Sequence, residues 1–158
     1  MAQNGGMVLV DGGVIHASAV VLAGQGVLIL GPSGAGKSTL ALALMAIGAA
    51  LVADDRVRLR TAPDGVWLEA PPSLPPLIEA RGVGLLRAVL AGPVRLALVV
   101  DLARAEPDRL PPARHINVLM RDFPLVLGAD HPHLAPALRQ FLLHGRIDPD
   151  PRQSEPDP

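Results

Sequence analysis

The chain has 158 residues, of which 49% are hydrophobic and 18% charged, and its 14 Lys and Arg nearly balance 15 Asp and Glu. This length suits one domain with its own core, and the composition argues against a disordered chain and against a polybasic nucleic-acid binder. The chain has no cysteine, which excludes disulfide scaffolds, thiolate nucleophiles and Cys-ligated zinc.

Neither a signal peptide nor a membrane span is predicted. Residues 1–6 carry no Lys or Arg, and the longest apolar stretch is Thr39–Ala53. That stretch is shorter than the ~20 residues that a membrane span needs. Because the lack of cysteine suits a reducing compartment, we expect a cytoplasmic protein. The nearly balanced charge and the short apolar stretch predict neither a nucleic-acid nor a membrane partner.

The first predicted elements are strands. Val8–Val10 and Val14–Leu22 are rich in β-branched residues and flank the turn Asp11–Gly13, which predicts an N-terminal β-hairpin with His16 in its second arm. Val27–Leu30 is a continuous apolar run, as expected of a strand buried on both faces.

A helix is predicted over Lys37–Ile47, because its apolar residues recur at helical spacing and Gly48 can end it. The next strand begins with Ala50–Ala53. Further along, the pattern predicts a solvent-facing hairpin of Val57–Arg60 with Val66–Glu69, a buried strand over Val94–Val100, an edge strand over Ile116–Met120 and a last helix over Leu134–Leu143.

The remaining segments are predicted to lack regular structure. Prolines interrupt residues 71–76 and 104–114, and these segments are expected to be surface loops. We expect the domain to cover residues 1–146 and residues 147–158 to form a disordered, acidic, Pro-rich tail.

A complete G-x-x-x-x-G-K-[ST] pattern lies between the predicted buried strand and the first helix. Its glycines let backbone N–H groups turn inward around phosphate oxygens, and the helix N-terminus adds partial positive charge. Lys37 should reach the β- and γ-phosphates, and Ser38 should place its hydroxyl on Mg²⁺. ATP and Mg²⁺ are therefore the expected cofactors, with the nucleotide held by Gly31, Pro32, Ser33, Gly34, Ala35, Gly36, Lys37, Ser38 and Thr39.

Two consecutive carboxylates, Asp54 and Asp55, end the strand after this helix. In an open parallel sheet, ligands bind beyond the carboxyl ends of the strands, so one Asp could hold the metal and the other act as a base. A solvated strand exit with Arg56 as a surface ion pair is the alternative. Asp101, which also follows an apolar strand, competes for the metal role, and the residues alone do not rank these acids.

Three further polar residues have both a functional and a structural interpretation. Glu79 and Arg81 lie between a Pro-rich loop and a glycine pair, where they are either presented from a bend or paired at the surface. By itself, His16 is more often a hydrogen-bonded structural histidine than an active-site group.

These residues together give the chain a family resemblance: it resembles the catalytic domain of bacterial HPr kinase/phosphorylase. Order and spacing agree over residues 8–102. The matching segments are Ile15–Ser18, Gly31–Ser38, Leu51–Val57 and Ile78–Gly84.

The resemblance implies an α/β P-loop kinase domain with a mixed β-sheet, an N-terminal β-hairpin and a helix after the phosphate loop. It implies ATP-dependent phosphorylation of a serine on HPr, the phosphocarrier of the sugar phosphotransferase system, and removal of that phosphate by inorganic phosphate. It further implies a homo-oligomer. The implied catalytic residues are Asp55 as base, His16 and Lys37, and the implied metal site is Ser38, Glu79 and Asp54.

The chain also departs from that family. It is expected to be a short form without the family's N-terminal domain, and the family's catalytic arginine in a Gly-Arg-Asn segment has no match after Asp101. Arg114, Arg121 and Arg139 are the possible replacements. Two other functions remain open: a small-molecule kinase, and a nucleotide-sensing module that binds ATP without transferring phosphate.

Overall fold

A nine-stranded mixed sheet with two helices on one face dominates the structure, a computed structural model in which residues 13–149 are described. The strands are β1 (Val14–Ile15), β2 (Ser18–Leu22), β3 (Gln25–Leu30), β4 (Ala50–Ala53), β5 (Val57–Ala62), β6 (Gly65–Glu69), β7 (Leu77–Ala80), β8 (Gly84–Arg87), β9 (Val94–Asp101), β10 (His115–Val118) and β11 (Arg121–Leu127). The helices are α1 (Lys37–Ala46) and α2 (Leu134–His144).

The strand directions bring the ends of two strands together. The main path through the sheet is β1-β5-β6-β9-β3-β2-β4, with β10 and β11 joined to it through β9, while β7 and β8 form a separate two-stranded sheet. β2 is antiparallel to both β3 and β4. Since β3 and β4 therefore run in the same direction, their carboxyl ends lie at the same edge of the sheet.

This arrangement corrects the expectation of an open parallel sheet around the loop. Only β9, on the far side of β3, pairs with it in parallel, and β11 in turn pairs in parallel with β9. The carboxyl ends of β3 and β4 still lie at the same edge of the sheet, as expected. The reason is that β2, which lies between them, is antiparallel to both.

The core consists of an apolar layer on each face of the sheet. In β3, Val27 and Ile29 pack under the helices, whereas Leu28 and Leu30 belong to the opposite layer. A strand buried on both faces needs such a continuous apolar run. Within residues 13–149, neither helix has the length and apolar character required to cross a bilayer.

Most predicted elements are present. Helix α1 ends one residue before the predicted end, and Gly48 follows with a left-handed φ of 114°. The structure also confirms the β5–β6 hairpin, strands β4 and β9, the edge strand β10 and helix α2. The β5–β6 hairpin is solvated on one face only, because residues such as Leu59 and Leu68 are fully buried.

The predicted N-terminal hairpin differs from the structure. Val8–Val10 lies outside the described residues, and Val14–Leu22 is divided into β1 and β2. β1 pairs with β5, whereas β2 pairs with β3 through a two-residue turn in which Ala23 and Gly24 both have positive φ. Such a turn matches the twist of its strands, and its usual sequence is Asn-Gly or Asp-Gly. Because the sequence here is Ala-Gly, the turn was not predicted.

Three strands, β7, β8 and β11, were not predicted. Pro124 lies inside β11, and a proline argues against a strand because it cannot donate to the ladder. Pro124 is paired only with His115 on the edge strand β10. Because the Leu125 N–H donates to the Arg114 carbonyl on that side, the Pro124 nitrogen points away from β10, and the parallel pairing with β9 begins only at Leu125. The proline is therefore tolerated because no N–H is needed there.

Gly26 on β3 is a position where a side chain does not fit. A β-carbon at residue 26 would collide with the carbonyl oxygen of Arg95 on β9. We expect Gly26→Ala to lower the free energy of unfolding by about 1–3 kcal/mol, as overpacking does elsewhere, measured by chemical denaturation. Gly92→Ala is the control, because a β-carbon at Gly92 meets open space. Equal stabilities of the two variants would contradict the packing argument.

Candidate active site

The glycine-rich loop joins β3 to α1 in a conformation that depends on its glycines. Gly34 and Gly36 have φ values of 85° and 98°, in the left-handed region that favours glycine. A β-carbon at Gly31 would lie only 3.0 Å from the β-carbon of Ala35. The first helical hydrogen bond runs from the Leu40 N–H to the Gly36 carbonyl, so the N–H groups of Lys37–Thr39 in the first turn of α1 have no carbonyl partner within the helix.

The first two residues of α1 point their polar groups in different directions, Lys37 at the loop and Ser38 at Asp54. The Lys37 Nζ donates hydrogen bonds to the carbonyl oxygens of Gly31 (2.8 Å) and Pro32 (3.0 Å), so the ammonium lies across the loop. The Ser38 hydroxyl contacts both carboxylate oxygens of Asp54, at 2.8 and 3.0 Å. A cation and a hydroxyl therefore meet at a helix N-terminus, where anions bind favourably.

Asp54 is a buried carboxylate with three donors around it. It is 6% exposed and accepts hydrogen bonds from the Ser18 hydroxyl (2.6 Å), the Ser38 hydroxyl and the backbone N–H of Glu79 (3.2 Å). These donors occupy both carboxylate oxygens. Asp54 lies behind Ser38, and it is absent from the residues among 13–149 that line the cleft. Its influence on a metal at Ser38 would pass through that hydroxyl.

Asp55 has a different environment from its neighbour. Its backbone is left-handed, with φ 71°, and its side chain is 72% exposed. The carbonyl of Asp55 accepts a hydrogen bond from the Ala17 N–H (3.2 Å), and His16 Nδ1 lies 3.8 Å from the Asp55 carboxylate. This turn in the chain presents Asp55 to solvent, where a carboxylate can receive a proton from an incoming group.

These side chains surround one cleft of about 490 Å³. This volume is in the range of small-molecule sites. Of the residues expected at the site, the structure places all but Asp54 and Ala35 on its wall, and it adds two that were not assigned a role, Ser18 and Arg81. The wall consists of His16, Ser18, Gly31, Pro32, Ser33, Gly34, Gly36, Lys37, Ser38, Thr39, Asp55, Glu79 and Arg81.

The donor set fits a magnesium ion that is shared with phosphates. No group of three or more His, Asp or Glu side chains in the described part of the chain could hold a metal by itself. Mg²⁺ bound with a nucleotide needs only one or two protein oxygens, because phosphates and water supply the others. The Ser38 hydroxyl and the Glu79 carboxylate, which line the same cleft, are oxygen donors of that kind.

The side chain of Arg81 lies beside the glycine-rich loop. It follows β7, and a β-carbon on Gly34 would lie 3.4 Å from its guanidinium. It is also the sole arginine on the cleft wall among residues 13–149. A guanidinium is well suited to phosphate oxygens, so Arg81 adds a second cation beside Lys37.

The other acids and arginines considered in the sequence are engaged elsewhere. Asp101 accepts hydrogen bonds from the Ala103 N–H and from the Arg104 side chain, which caps a turn. Arg114 forms two hydrogen bonds with Glu106. The remaining two donate to backbone carbonyls: Arg121 to Ala62 and Pro63, and Arg139 to Ile47.

Ser18 is a cleft residue that the sequence did not single out. Its signal was spacing: Ser18 follows His16 by two residues within the predicted strand Val14–Leu22, and in a strand such residues point to the same face. A serine in an apolar segment otherwise carries little information about a site.

A buried strand, a glycine-rich loop and a helix, with carboxylates at the same edge of the sheet, are typical of the phosphate-loop class of domains. The chain belongs to the HPr Serine kinase C-terminal domain family, whose model matches residues 8–108. The family resemblance noted in the sequence is thereby confirmed.

Relatives and a solved structure agree with this assignment. The chain is 40% identical over 117 residues to an HPr kinase/phosphorylase of Cupriavidus metallidurans, covering 66% of this chain and 36% of the relative. It is 43% identical over 109 residues to one of Bordetella pertussis, covering 61% of this chain and 35% of the relative. The chain thus spans just over a third of the length of these curated relatives.

The fold matches the solved structure of the Hpr(Ser) kinase/phosphatase from Coxiella burnetii. The TM-score is 0.71 at 26% sequence identity, and the match covers 82% of this chain and 88% of that one. The mixed α/β architecture is therefore shared over most of both chains.

The Glu106–Arg114 pair makes stability depend on pH. The hydrogen-bonded Arg114 guanidinium lowers the pKa of the Glu106 carboxyl from its ordinary value of 4.5. Because the folded-state pKa is depressed, the stabilisation is present above about pH 4.5 and is lost as the pH falls through the folded value. We expect Glu106→Gln to lower the melting temperature at neutral pH and to remove this part of the acid dependence, measured by thermal unfolding across pH.

Asp148→Asn is the matched control for Glu106→Gln. Asp148 also pairs with an arginine, Arg146, but its side chain is 66% exposed, so solvent screens the pair. The same loss of stability in both variants would contradict a specific role of the Glu106 pair.

Proposed function

We propose that this chain phosphorylates a serine of HPr with ATP as the phosphoryl donor. Family membership supports the reaction class, and one geometric observation carries the proposal. The exposed Asp55 carboxylate, the Lys37 ammonium and the Ser38 hydroxyl line a single cleft at the carboxyl ends of β3 and β4. This proximity supports a reaction in which the loop binds the phosphates and Asp55 accepts a proton.

The loop holds the nucleotide in this proposal. Its N–H groups and the N-terminus of α1 bind the phosphates, and Lys37 exchanges its contacts with the Gly31 and Pro32 carbonyls for phosphate oxygens. Ser38 and Glu79 hold the metal. When bound, Mg²⁺ neutralises charge on the phosphate oxygens.

Asp55 is the base for the acceptor serine. It takes the hydroxyl proton as the serine oxygen forms a bond to the γ-phosphorus and the bond to the ADP oxygen breaks. His16, 3.8 Å from the same carboxylate, orients it. Lys37 and Arg81 face the charge on the transferring group. In the phosphorolysis reaction, an oxygen of inorganic phosphate forms a bond to the phosphorus of phosphoserine and gives pyrophosphate, while the bond to the serine oxygen breaks and a protonated Asp55 gives its proton to that oxygen.

Mass spectrometry of HPr after incubation with this chain, ATP and Mg²⁺ tests the proposal. We expect HPr to gain the mass of one phosphoryl group, and an HPr variant whose acceptor serine is replaced by alanine to gain none. ATP binding without transfer to HPr would favour a nucleotide sensor, and transfer to members of a metabolite panel but not to HPr would favour a small-molecule kinase.

Replacing Asp55 separates binding from transfer. Asp55→Asn keeps the side-chain shape but removes the proton acceptor, so we expect the turnover rate with HPr to fall by about 10²–10⁴-fold while the affinity for ATP stays the same. Asp130→Asn is the control, because Asp130 is also an exposed Asp with left-handed φ (58°) but is not among the residues that line the cleft. Full activity of Asp55→Asn would show that another group takes the proton.

Lys37 is the only lysine of the chain, which makes its contact with phosphate directly measurable. We expect ATP to protect Lys37 from an amine-modifying reagent, read out by mass spectrometry of the modified peptide. Lys37→Ala should weaken ATP binding by tenfold or more in calorimetry, because a charge-assisted contact to phosphate is lost. Modification of Lys37 at an undiminished rate in saturating ATP would refute the site.

A further inference from the structure

Ser18 and Asp54 are the two polar side chains that are buried among residues 13–149, and they are bonded to each other. Ser18 is fully buried, Asp54 is 6% exposed, and 2.6 Å separates the hydroxyl from the carboxylate oxygen Oδ1. Burial of a hydroxyl or a carboxylate is costly unless each has a partner. The pair is therefore a built feature of the fold.

We propose that Ser18 is a positioning residue that orients the Asp54 carboxylate and, through it, the Ser38 hydroxyl that holds the metal. This inference rests on the proposed function, since it concerns the same nucleotide cleft. Ser18 belongs neither to the glycine-rich loop pattern nor to the pair of acids at the end of β4.

The hydrogen bonds around Asp54 show how the orientation is transmitted. Ser18 donates to Oδ1 and the Glu79 N–H to Oδ2, so the plane of the carboxylate is held from both sides. The single proton of Ser38 is directed at the same carboxylate, 2.8 Å from Oδ1 and 3.0 Å from Oδ2. With its proton turned to Asp54, the Ser38 oxygen keeps its lone pairs for the cleft.

The backbone between Ser18 and Asp54 is irregular. The pairing of β2 with β4 shifts register between Ala19 and Val20: Ala19 pairs with Ala53 and Val20 with Leu51, so the extra residue is on β4, shortly before Asp54. Such irregularities re-aim side chains and occur often beside active sites. As a result, one short segment gives each acid a partner: Ser18 contacts Asp54, and His16 lies beside Asp55.

Loss of the Ser18 hydroxyl should therefore lower the affinity for the metal, because two hydrogen bonds connect Ser18 through Asp54 to the metal-holding Ser38. Groups that orient a metal ligand typically contribute about 10–100-fold to metal affinity. The phosphate contacts of the loop amides and Lys37 do not involve Asp54, so binding of a nucleotide without metal should not change.

Two measurements on the wild type, Ser18→Ala and Ser18→Thr test the proposal. Calorimetry measures ADP binding in Mg²⁺ and again in EDTA. Electron paramagnetic resonance measures Mn²⁺ binding in the presence of ADP. We expect Ser18→Ala to weaken Mn²⁺ binding and the Mg²⁺-dependent part of ADP binding by about tenfold or more. ADP affinity in EDTA should stay within about twofold, and Ser18→Thr should restore the wild-type values because it keeps the hydroxyl.

Val20→Ala is the control for a general loss of stability, because Val20 is buried on the same strand but packs in the layer under the helices. It should lower the melting temperature and leave the Mg²⁺ dependence unchanged. If Ser18→Thr does not fold, Ser18→Cys replaces it as the variant with a weaker donor and should show an intermediate metal affinity.

Two results would overturn the role of Ser18. One is an unchanged Mg²⁺ dependence in Ser18→Ala. The other is an equal loss of ADP binding with and without Mg²⁺ alongside a lower melting temperature, since this would indicate a structural role. Failure of the wild-type chain to bind ADP in Mg²⁺ would instead refute the proposed function, so the two failures are distinguishable.

Discussion

The buried carboxylate of Asp54 is the contact on which the arrangement of the cleft depends. Its three donors come from three elements: Ser18 from β2, Ser38 from α1 and the Glu79 backbone from β7. A buried carboxylate must satisfy its oxygens inside the protein, and here that requirement ties the sheet, the first helix and the β7–β8 hairpin to one point. The glycine-rich loop and the Glu79–Arg81 segment are thereby held against each other across the cleft.

The adjacent aspartates Asp54 and Asp55 have different environments. Asp54 follows β4 and is buried, whereas Asp55 has a left-handed backbone and an exposed side chain. The Ala17 N–H, which lies between β1 and β2, donates to the Asp55 carbonyl and stabilises this turn of the chain. In the proposed reaction, one acid holds the site together and its neighbour is left available for a proton.

The position of the acids beside the loop was predicted correctly, although the antiparallel strand β2 between β3 and β4 was not expected there. An apolar run followed by Asp54-Asp55 was enough to predict a strand with acids at its end, but not which strand it pairs with. Pairing partners are set by contacts that are distant in sequence, such as Ala19 with Ala53 and Gly26 with Leu96. The β7–β8 hairpin and β11 escaped prediction for a related reason, since β8 is wholly exposed and β11 contains a proline at a position that needs no N–H.

The sequence by itself determined the elements whose residues act locally: the glycine-rich loop, helix α1 after it, the buried run of β3, and the family to which the chain belongs. Periodicity and glycine placement act through nearest neighbours along the chain, so they can be read directly. Only the tertiary structure decided that Asp54 lies behind Ser38, that Ser18 is its partner, and that Arg81 rather than Arg114, Arg121 or Arg139 lines the cleft. Burial and hydrogen bonding between residues 16 to 36 positions apart depend on how strands pair and pack, and no local pattern encodes them.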